Sequence, residues 1–305
     1  MRRALRIPTL ALLSTLAAPV WAADAVDVWD EVEHHFAQNQ GVKIHYVTLG
    51  SGPTVLFLHG FPDFWYSWRD QMAALSGDFR TAAIDLRGYN QSDQPAGIEN
   101  YRLPLILDDV AAVVRDLGGK VTLVGHDWGG AIAWRFAMAH PESVERLIIL
   151  NLTHPRGYAA VVANPTDAQR ANTEYARRFA SSQPDGSPVP DRILAMGDRF
   201  GSVIGGRYRE AFGRSSYDGM LNYYRANYGQ VGGAGVELPN LPMPVLQFHG
   251  LKDSAVDKDG LKNTWDWIAA DYTLVTVPSS GHWVQSEASE LVSSTMKAWL
   301  LARAH

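Results

Sequence analysis

An aspartate between two glycines is the residue of this chain best placed to do chemistry. It lies in Gly125-His126-Asp127-Trp128-Gly129, directly after the apolar run Val121 to Val124 and before a stretch with the pattern of an apolar-faced helix. A strand-turn-helix junction of this kind lifts its central side chain above the sheet, and the glycines are needed because the tight turn leaves no room for a Cβ atom. A carboxylate there is suited to displacement at a saturated carbon, which gives an alkyl ester that water must then hydrolyse.

Asp127 alone also fits a structural role, because an aspartate between a strand and a helix commonly caps the free amides of the helix. A nucleophile needs in addition a base and a group that orients the base. In junctions of this type both follow the nucleophile along the chain, the acid first and the histidine second. The assignment of Asp127 therefore depends on the later loops.

Two later loops provide an acid and a histidine in that order. Asp253 ends Phe248-His-Gly-Leu-Lys-Asp253 after one predicted strand, and His282 lies in Pro278-Ser-Ser-Gly-His282-Trp after the next. Each residue alone is common in turns and loops. Their order after Asp127 favours a catalytic set over coincidence. Since an ionised Asp127 needs no activation, we expect His282 to deprotonate the water that attacks the ester, with Asp253 fixing its tautomer.

The segment His59-Gly-Phe-Pro62 follows the first buried strand and brings backbone amides towards the same edge of the sheet. The N–H groups of Phe61 and Trp128 can together form an oxyanion hole. In an enzyme with an aspartate nucleophile, these donors would act on the carbonyl oxygen of the Asp127 ester.

Strand and helix patterns alternate on both sides of a central segment. Strands are predicted at 42–48, 54–59, 80–85, 121–124, 144–150, 245–249 and 272–277. Helices are predicted at 66–76, 103–117, 128–139, 261–270 and 287–300. Residues 29–36 have mixed polarity and are expected on the surface. The alternation predicts an α/β fold with a mostly parallel sheet that is flanked by helices on both faces.

The alternation stops at Asn151 and resumes at Met243. The segment between them has aromatic, helix-like stretches without a strand pattern, at 168–179, 190–199, 207–212 and 216–228. A stretch rich in glycine and proline ends it. We interpret residues 152–239 as a helical cap inserted over the sheet, and residues 23–151 and 240–305 as the core.

The first 22 residues have the composition of a secretory signal peptide. A basic start, Met1 to Arg6, precedes an apolar run and the small residues Ala22 and Ala23, where cleavage is expected. The run is too short for a membrane span and contains two prolines. The sequence therefore predicts an exported protein, periplasmic or secreted.

Charge and composition argue against several classes of function. The formal net charge is −5, and removing residues 1–22 takes away three arginines and no acidic residue, which leaves −8. Such a charge disfavours nucleic acid or an anionic membrane as partner. The chain has no cysteine, which excludes disulfides and thiolate metal sites, and its histidine spacing matches no zinc motif. We expect no metal and no cofactor.

Four segments resemble the epoxide hydrolases of the α/β-hydrolase fold, close to the soluble epoxide hydrolase catalytic domain. They are His59 to Arg69, Asp85 to Asp93, Val124 to Gly130 and Gly281 to Trp283. The resemblance covers nearly all of the chain after the leader. Asn90 departs from a usual glycine, but asparagine tolerates the left-handed conformation. The resemblance implies hydrolysis of a small-molecule epoxide to a vicinal diol, without a cofactor, through an ester on Asp127.

The resemblance also implies two cap tyrosines that hold the epoxide oxygen, because an alkoxide is a poor leaving group in a dry pocket. Asn172 to Phe179 resembles the first tyrosine segment and Leu221 to Asn227 the second, which assigns Tyr175 and Tyr224. The adjacent Tyr223 is a competing assignment. The alternative for both tyrosines is an aromatic core position on an amphipathic helix.

Related functions share the aspartate nucleophile but require other residues. A haloalkane dehalogenase needs halide donors, and here Phe61 stands where an asparagine would, while residues 152–239 contain no tryptophan. A fluoroacetate dehalogenase characteristically has arginine in place of Trp128. One exported epoxide hydrolase subgroup pairs a cap histidine with one tyrosine and takes a glutamate as its acid at the position of Asn151.

A catalytically silent binding protein is the remaining alternative, and it would not be expected to retain Asp127, Asp253 and His282 together. The identity of the epoxide, the regioselectivity and the oligomeric state are not readable from the sequence.

Overall fold

A single eight-stranded sheet forms the centre of the part of the protein that the computed structural model describes, residues 27–233 and 237–303. The predicted signal peptide lies outside these residues. The strands are β1 (Glu33–Asn39), β2 (Val42–Leu49), β3 (Thr54–Leu58), β4 (Arg80–Ile84), β5 (Val121–His126), β6 (Val144–Leu150), β7 (Val245–Gly250) and β8 (Tyr272–Val277).

The strand order is β1-β2-β4-β3-β5-β6-β7-β8. The pairs β1–β2 and β2–β4 are antiparallel, and every other neighbouring pair is parallel. The central strands β5 and β7 are buried along their whole length, as expected for parallel strands covered on both faces. The predicted α/β fold with a mostly parallel sheet is confirmed.

The helices follow the strands in the predicted alternation. They are α1 (Arg69–Leu75), α2 (Leu103–Asp116), α3 (Trp128–Ala139), α4 (Pro155–Ala163), α5 (Asp167–Asn172), α6 (Glu174–Ser181), α7 (Asp191–Leu194), α8 (Ser202–Arg214), α9 (Tyr217–Asn227), α10 (Val284–Glu287) and α11 (Ser289–Leu301). Short 3₁₀ helices occur at Trp65–Trp68, Ile98–Tyr101, Pro141–Ser143, Ala195–Phe200, Tyr228–Gln230, Lys258–Leu261 and Thr264–Trp267. None of the helices in the described ranges is long and apolar enough to cross a membrane.

The six helices α4 to α9 lie between β6 and β7, and the described residues of this segment contain no strand. We call residues 152–239 the cap. Its division from the core as a separate domain remains a prediction. Helix α4 was not predicted, whereas α6, α8 and α9 overlap the predicted helical stretches.

One strand was missed and one predicted helix was wrong. Residues 29–36 lie on the surface as expected, but Glu33–Asn39 is also an edge strand paired with β2; most of its side chains are exposed or partly exposed, so the strand lacks a clear apolar alternation. The predicted helix at 261–270 is instead two 3₁₀ turns. Asn263 has a left-handed backbone, φ +64°, and Ile268 forms a β-bridge with Leu241, and both features prevent a continuous helix.

Candidate active site

Asp127 lies on a strained turn between β5 and α3. Its backbone has φ +51° and ψ −121°, a region that residues with side chains rarely adopt. The turn also depends on close backbone approach: a Cβ atom added to Gly129 would lie 2.2 Å from the Leu58 carbonyl oxygen, and one added to Gly125 would lie 2.3 Å from the Gly129 carbonyl oxygen. Asp127 makes no side-chain capping bond to α3, so its alternative role as a helix cap is wrong.

The structure brings Asp127, Asp253 and His282 together at the carboxyl edge of the sheet. His282 Nδ1 lies 2.9 Å from Asp253 Oδ2, and His282 Nε2 lies 3.5 Å from Asp127 Oδ2. The Asp253 carboxylate therefore holds the proton of the imidazole on Nδ1. This leaves Nε2 facing the carboxylate of Asp127.

The Asp253 side chain is fully buried and is hydrogen-bonded on both oxygens. Oδ1 accepts from the amides of Ala255 and Val256 at 2.7 and 3.0 Å, and Oδ2 accepts from Asn151 Nδ2 at 2.7 Å. Burial raises the pKa of Asp253, but His282 and these donors outweigh burial and hold that pKa well below its usual value. Asp253 is therefore ionised.

His282 lies between two carboxylates, and its protonation follows from them. Burial lowers the pKa of the imidazole, but the negative charges of Asp253 and Asp127 more than reverse this effect and raise that pKa to about 10. The pKa of Asp127 is lowered, since contact with His282 outweighs the effect of burial. At neutral pH, a protonated His282 thus faces an ionised Asp127.

The two predicted oxyanion-hole donors flank Asp127. The Phe61 amide donates to Asp127 Oδ1 at 2.8 Å. The Trp128 amide, which begins α3, makes no hydrogen bond to the Asp127 carboxylate in the described structure. Of the two predicted oxyanion-hole donors, the Phe61 amide alone is hydrogen-bonded to the free carboxylate of Asp127 in the described structure. The role of the Trp128 amide towards an ester stays a prediction.

Tyr175 on α6 and Tyr224 on α9 face Asp127 from the cap. Their ring centroids are 6.4 Å apart, and the Tyr224 ring lies 5.0 Å from that of Trp128. Burial and the charge of Asp127 raise the pKa of both hydroxyls, so both retain their protons. The competing Tyr223 is fully buried and donates its hydroxyl to the Arg87 carbonyl at 3.0 Å.

A cavity of about 780 Å³ connects these groups. Asp127, His282, Tyr175 and Tyr224 line it together, whereas Tyr223 does not. The rest of its surface is mainly apolar and aromatic, with Phe61, Phe179, Ile193, Met196, Leu221 and Trp283. Such a cavity suits an apolar small molecule that presents one polar group to the tyrosines and Asp127.

Comparison with known proteins shows the family to which the chain belongs. A model of the alpha/beta hydrolase fold family matches residues 53–289. Epoxide hydrolase 2 of Caenorhabditis elegans is 32% identical over 285 residues, covering 88% of this chain and 79% of its own. Epoxide hydrolase 3 of Xenopus tropicalis is 30% identical over 288 residues, covering 86% of this chain and 76% of its own.

A solved structure is similar over the same region. The crystal structure of Bacillus megaterium epoxide hydrolase in complex with an inhibitor superposes with a TM-score of 0.78 at 30% identity, covering 87% of this chain and 99% of the other. The chain belongs to the epoxide hydrolases of the α/β-hydrolase fold. It is a hydrolase that acts on epoxides.

The active site of this epoxide hydrolase contains further contacts that the sequence reasoning missed. His126 Nε2 lies 2.8 Å from the His282 carbonyl oxygen, so Nε2 must carry the proton and donate it. Burial, together with the nearby His282, lowers the pKa of His126 to about 4, and the ring is neutral. The position of His126 next to Asp127 in the sequence was the one hint of a role in the site. That its side chain binds the loop after β8 can be seen only in the folded structure.

Asp63 is a second residue that was missed. It is buried and accepts a hydrogen bond from Trp283 Nε1 at 3.1 Å, and the hydroxyl of Tyr208 on α8 lies close enough to oppose the effect of burial on its pKa. Burial raises the pKa of its carboxyl group. The Asp63 carboxyl group, which follows β3, therefore lies next to both Trp283, the residue after His282, and helix α8 of the cap.

The described residues contain no group of three histidine, aspartate or glutamate side chains that could hold a metal ion.

Proposed function

We propose that this epoxide hydrolase converts its substrate to a vicinal diol through a covalent alkyl ester on Asp127. The observation that carries the proposal is the shared cavity. One ionised carboxylate, Asp127, and two protonated hydroxyls, Tyr175 and Tyr224, line the same space from opposite sides. An oxirane between them would meet a nucleophile at carbon and proton donors at oxygen.

In the first step, an Asp127 oxygen attacks an oxirane carbon and the carbon–oxygen bond breaks. The oxygen that is released takes a proton from one of the tyrosines, and the second tyrosine donates a hydrogen bond to it. The products of this step are the alkyl ester, a free hydroxyl group and a tyrosinate. Both tyrosines enter the step neutral because their pKa values are raised.

Formation of the ester removes the negative charge of Asp127, and this change prepares His282 for the second step. The charge of Asp127 helps to raise the pKa of His282, so its loss lowers that pKa. The proton that His282 releases restores the tyrosine hydroxyl. The neutral Nε2 then takes a proton from water.

The resulting hydroxide attacks the carbonyl carbon of the Asp127 ester. The Phe61 amide, already bonded to Oδ1 at 2.8 Å, is placed to stabilise the oxyanion, with the Trp128 amide as the second donor. Collapse of the intermediate releases the diol, which takes the proton from the Asp127 carboxyl group. The enzyme returns to an ionised Asp127 and a protonated His282.

Isotope labelling tests the covalent step. A single turnover in heavy-oxygen water should place label in the carboxylate of Asp127, as measured by mass spectrometry of the digested protein, because the attacking water supplies one of its oxygens. Unlabelled Asp127 with labelled diol would contradict the ester. Asp127→Asn should form no diol. A bromoalkane tested beside styrene oxide distinguishes epoxide opening from halide release: we expect diol from styrene oxide and no bromide from the bromoalkane.

Export is a separate part of the proposal. It rests on the composition of residues 1–22. N-terminal sequencing of the protein recovered from its native host should give a start at Ala23 or Asp24; a start at Met1 would contradict it.

A further inference from the structure

Asn151 follows β6 directly and connects the loops that carry the acid and the base. It is fully buried. Its Nδ2 donates to Asp253 Oδ2 at 2.7 Å and to the Gly281 carbonyl oxygen at 3.0 Å, and its Oδ1 accepts from the Gly250 amide at 3.3 Å. One side chain thus binds the end of β7, the acid and the peptide unit that precedes His282.

The contact with Asp253 falls on the oxygen that binds the histidine. Asp253 Oδ2 accepts from Asn151 Nδ2 at 2.7 Å and lies 2.9 Å from His282 Nδ1. The two amide bonds to Oδ1 hold the other oxygen. Without Asn151, Oδ2 would keep His282 as its single partner, and nothing but the imidazole itself would fix the position of that oxygen.

The contact with Gly281 restrains the histidine from the other direction. His282 is the next residue, and its own carbonyl accepts from His126. The donors Asn151 and His126 therefore hold the two peptide units on either side of the His282 α-carbon. The amide of Asn151 has two N–H groups, so it can bind the acid and the histidine loop at the same time.

We propose that Asn151 is a positioning residue that holds Asp253 and His282 in mutual register for hydrolysis of the ester. The inference rests on the proposed function. Asn151 does not line the cavity, and its side-chain hydrogen bonds in the described structure go to Asp253, Gly281 and Gly250, none of which attacks or protonates the substrate. Its loss is therefore expected to slow the second step and to spare the first.

The test measures the two steps separately. Single turnovers are quenched over time, and the ester on Asp127 is followed by the mass of the intact protein. In Asn151→Gly, hydrolysis of the ester should fall about 10- to 100-fold, the range for groups that orient a functional histidine. Formation of the ester should stay within about threefold of wild type, so that the ester accumulates.

Glycine is the right replacement because Asn151 has φ +43°, which glycine adopts without strain. Asn90 is a matched control: it has the same φ of +43°, and its Nδ2 donates to the buried Asp85 at 2.8 Å. Asn90→Gly also removes an asparagine–aspartate bond, but one outside the active site. It should leave both rate constants within about twofold of wild type.

A second variant, Asn151→Asp, keeps the volume of the side chain. A carboxyl group this close to Asp253 either carries a proton, and can then donate to only one of the two acceptors, or is ionised and repels Asp253, so the double contact is lost in either case. Hydrolysis should fall in both Asn151 variants. In Asn151→Gly the apparent pKa of hydrolysis should also move to lower pH, because a less aligned Asp253 stabilises the imidazolium less. A merely structural role would lower both steps together and leave the pH profile in place.

The outcomes separate the inference from the function on which it rests. Equal losses in both steps, or a loss in Asn90→Gly equal to that in Asn151→Gly, would overturn the role of Asn151. The absence of any ester in wild type and in His282→Gln would instead overturn the proposed mechanism.

Discussion

The proposed catalytic groups of the core and of the cap are held by different kinds of structure. Asp127, Asp253 and His282 follow the carboxyl ends of β5, β7 and β8, which the sheet places side by side with β6. Asn151 follows β6 and completes the row. Backbone ladders fix the spacing of the four strand ends, and the side-chain bonds of Asn151 and Asp253 then orient the acid and the histidine within that frame.

The cap places its tyrosines by side-chain packing. Tyr175 and Tyr224 lie on two helices, α6 and α9, that contact each other, and Phe179 packs 5.7 Å from the Tyr175 ring and 5.3 Å from the Tyr224 ring. The position of each hydroxyl depends on how these rings fit. In the proposed mechanism, the cap therefore supplies the proton donors for ester formation, whereas the core supplies the nucleophile and all the groups for ester hydrolysis.

Loss of the histidine should have the largest effect and should break the second step alone. We expect His282→Gln to lower the rate of ester hydrolysis by about 10³- to 10⁴-fold, since the general base is removed. The ester should persist, and the intact protein should show the added mass of the substrate. Equal loss of ester formation would show that His282 also controls the first step.

Removal of a cap hydroxyl should break the first step. Tyr224→Phe and Tyr175→Phe should each lower the rate of ester formation by about 10- to 100-fold, and the double variant should lose more, because proton donation to the leaving oxygen is lost. No ester should accumulate. Tyr223→Phe is the matched control next in sequence, and rapid-quench measurements should give a rate close to wild type.

The pH dependence of the second step should distinguish the role of His282 in ester hydrolysis from that of the cap tyrosines in ester formation. His282 must be neutral to accept a proton from water, so ester hydrolysis should fall about tenfold per pH unit below the pKa of His282 in the ester state. That pKa should lie below the value of about 10 in the free enzyme, because the ester no longer carries the charge of Asp127. Single turnovers across pH give the pKa of His282 in the ester state, and NMR titration gives its pKa in the free enzyme. Equal pKa values would contradict the proposal that ester formation lowers the pKa of His282.

The smallest effect is expected from a change in cap stability away from the catalytic groups. Thr166 and Gln169 form a capping box at the start of α5. Thr166→Ala should lower the free energy of unfolding by about 1 kcal/mol. Thr166→Ser should preserve it, as measured in denaturant. Activity should change less than twofold, and a larger fall would place α5 among the elements that set the tyrosine positions.

Most of the core could be predicted from the sequence because its signals are local. The apolar run before Asp127 and the helix pattern after it predicted β5 and α3, with α3 correct to the residue at both ends. The edge strand β1 was missed because one exposed face and an irregular pattern give little alternation. A left-handed Asn263 inside a helical pattern gave no signal that separated it from an ordinary asparagine.

The supporting contacts of the site were not predictable, because they join distant parts of the chain. Asn151 and Asp253 are 102 positions apart, and His126 binds a carbonyl 156 positions away. Tyr223 and Tyr224 differ by one position on α9, and only the packing of that helix decides which hydroxyl faces the cavity. Residue type and spacing do not determine how α9 is rotated about its own axis.

The strained turn at Asp127 has a consequence for how such an enzyme can change over evolutionary time. The close approaches of Gly125 and Gly129 belong to the main chain and do not involve the side chain of Asp127. The backbone angles at position 127 disfavour β-branched residues but accept several unbranched ones. A substitution at Asp127 can therefore replace the nucleophile while the turn is kept, whereas a side chain at either glycine disturbs the turn whatever the nucleophile is. Selection for a new reaction has more freedom at position 127 than at the two glycines.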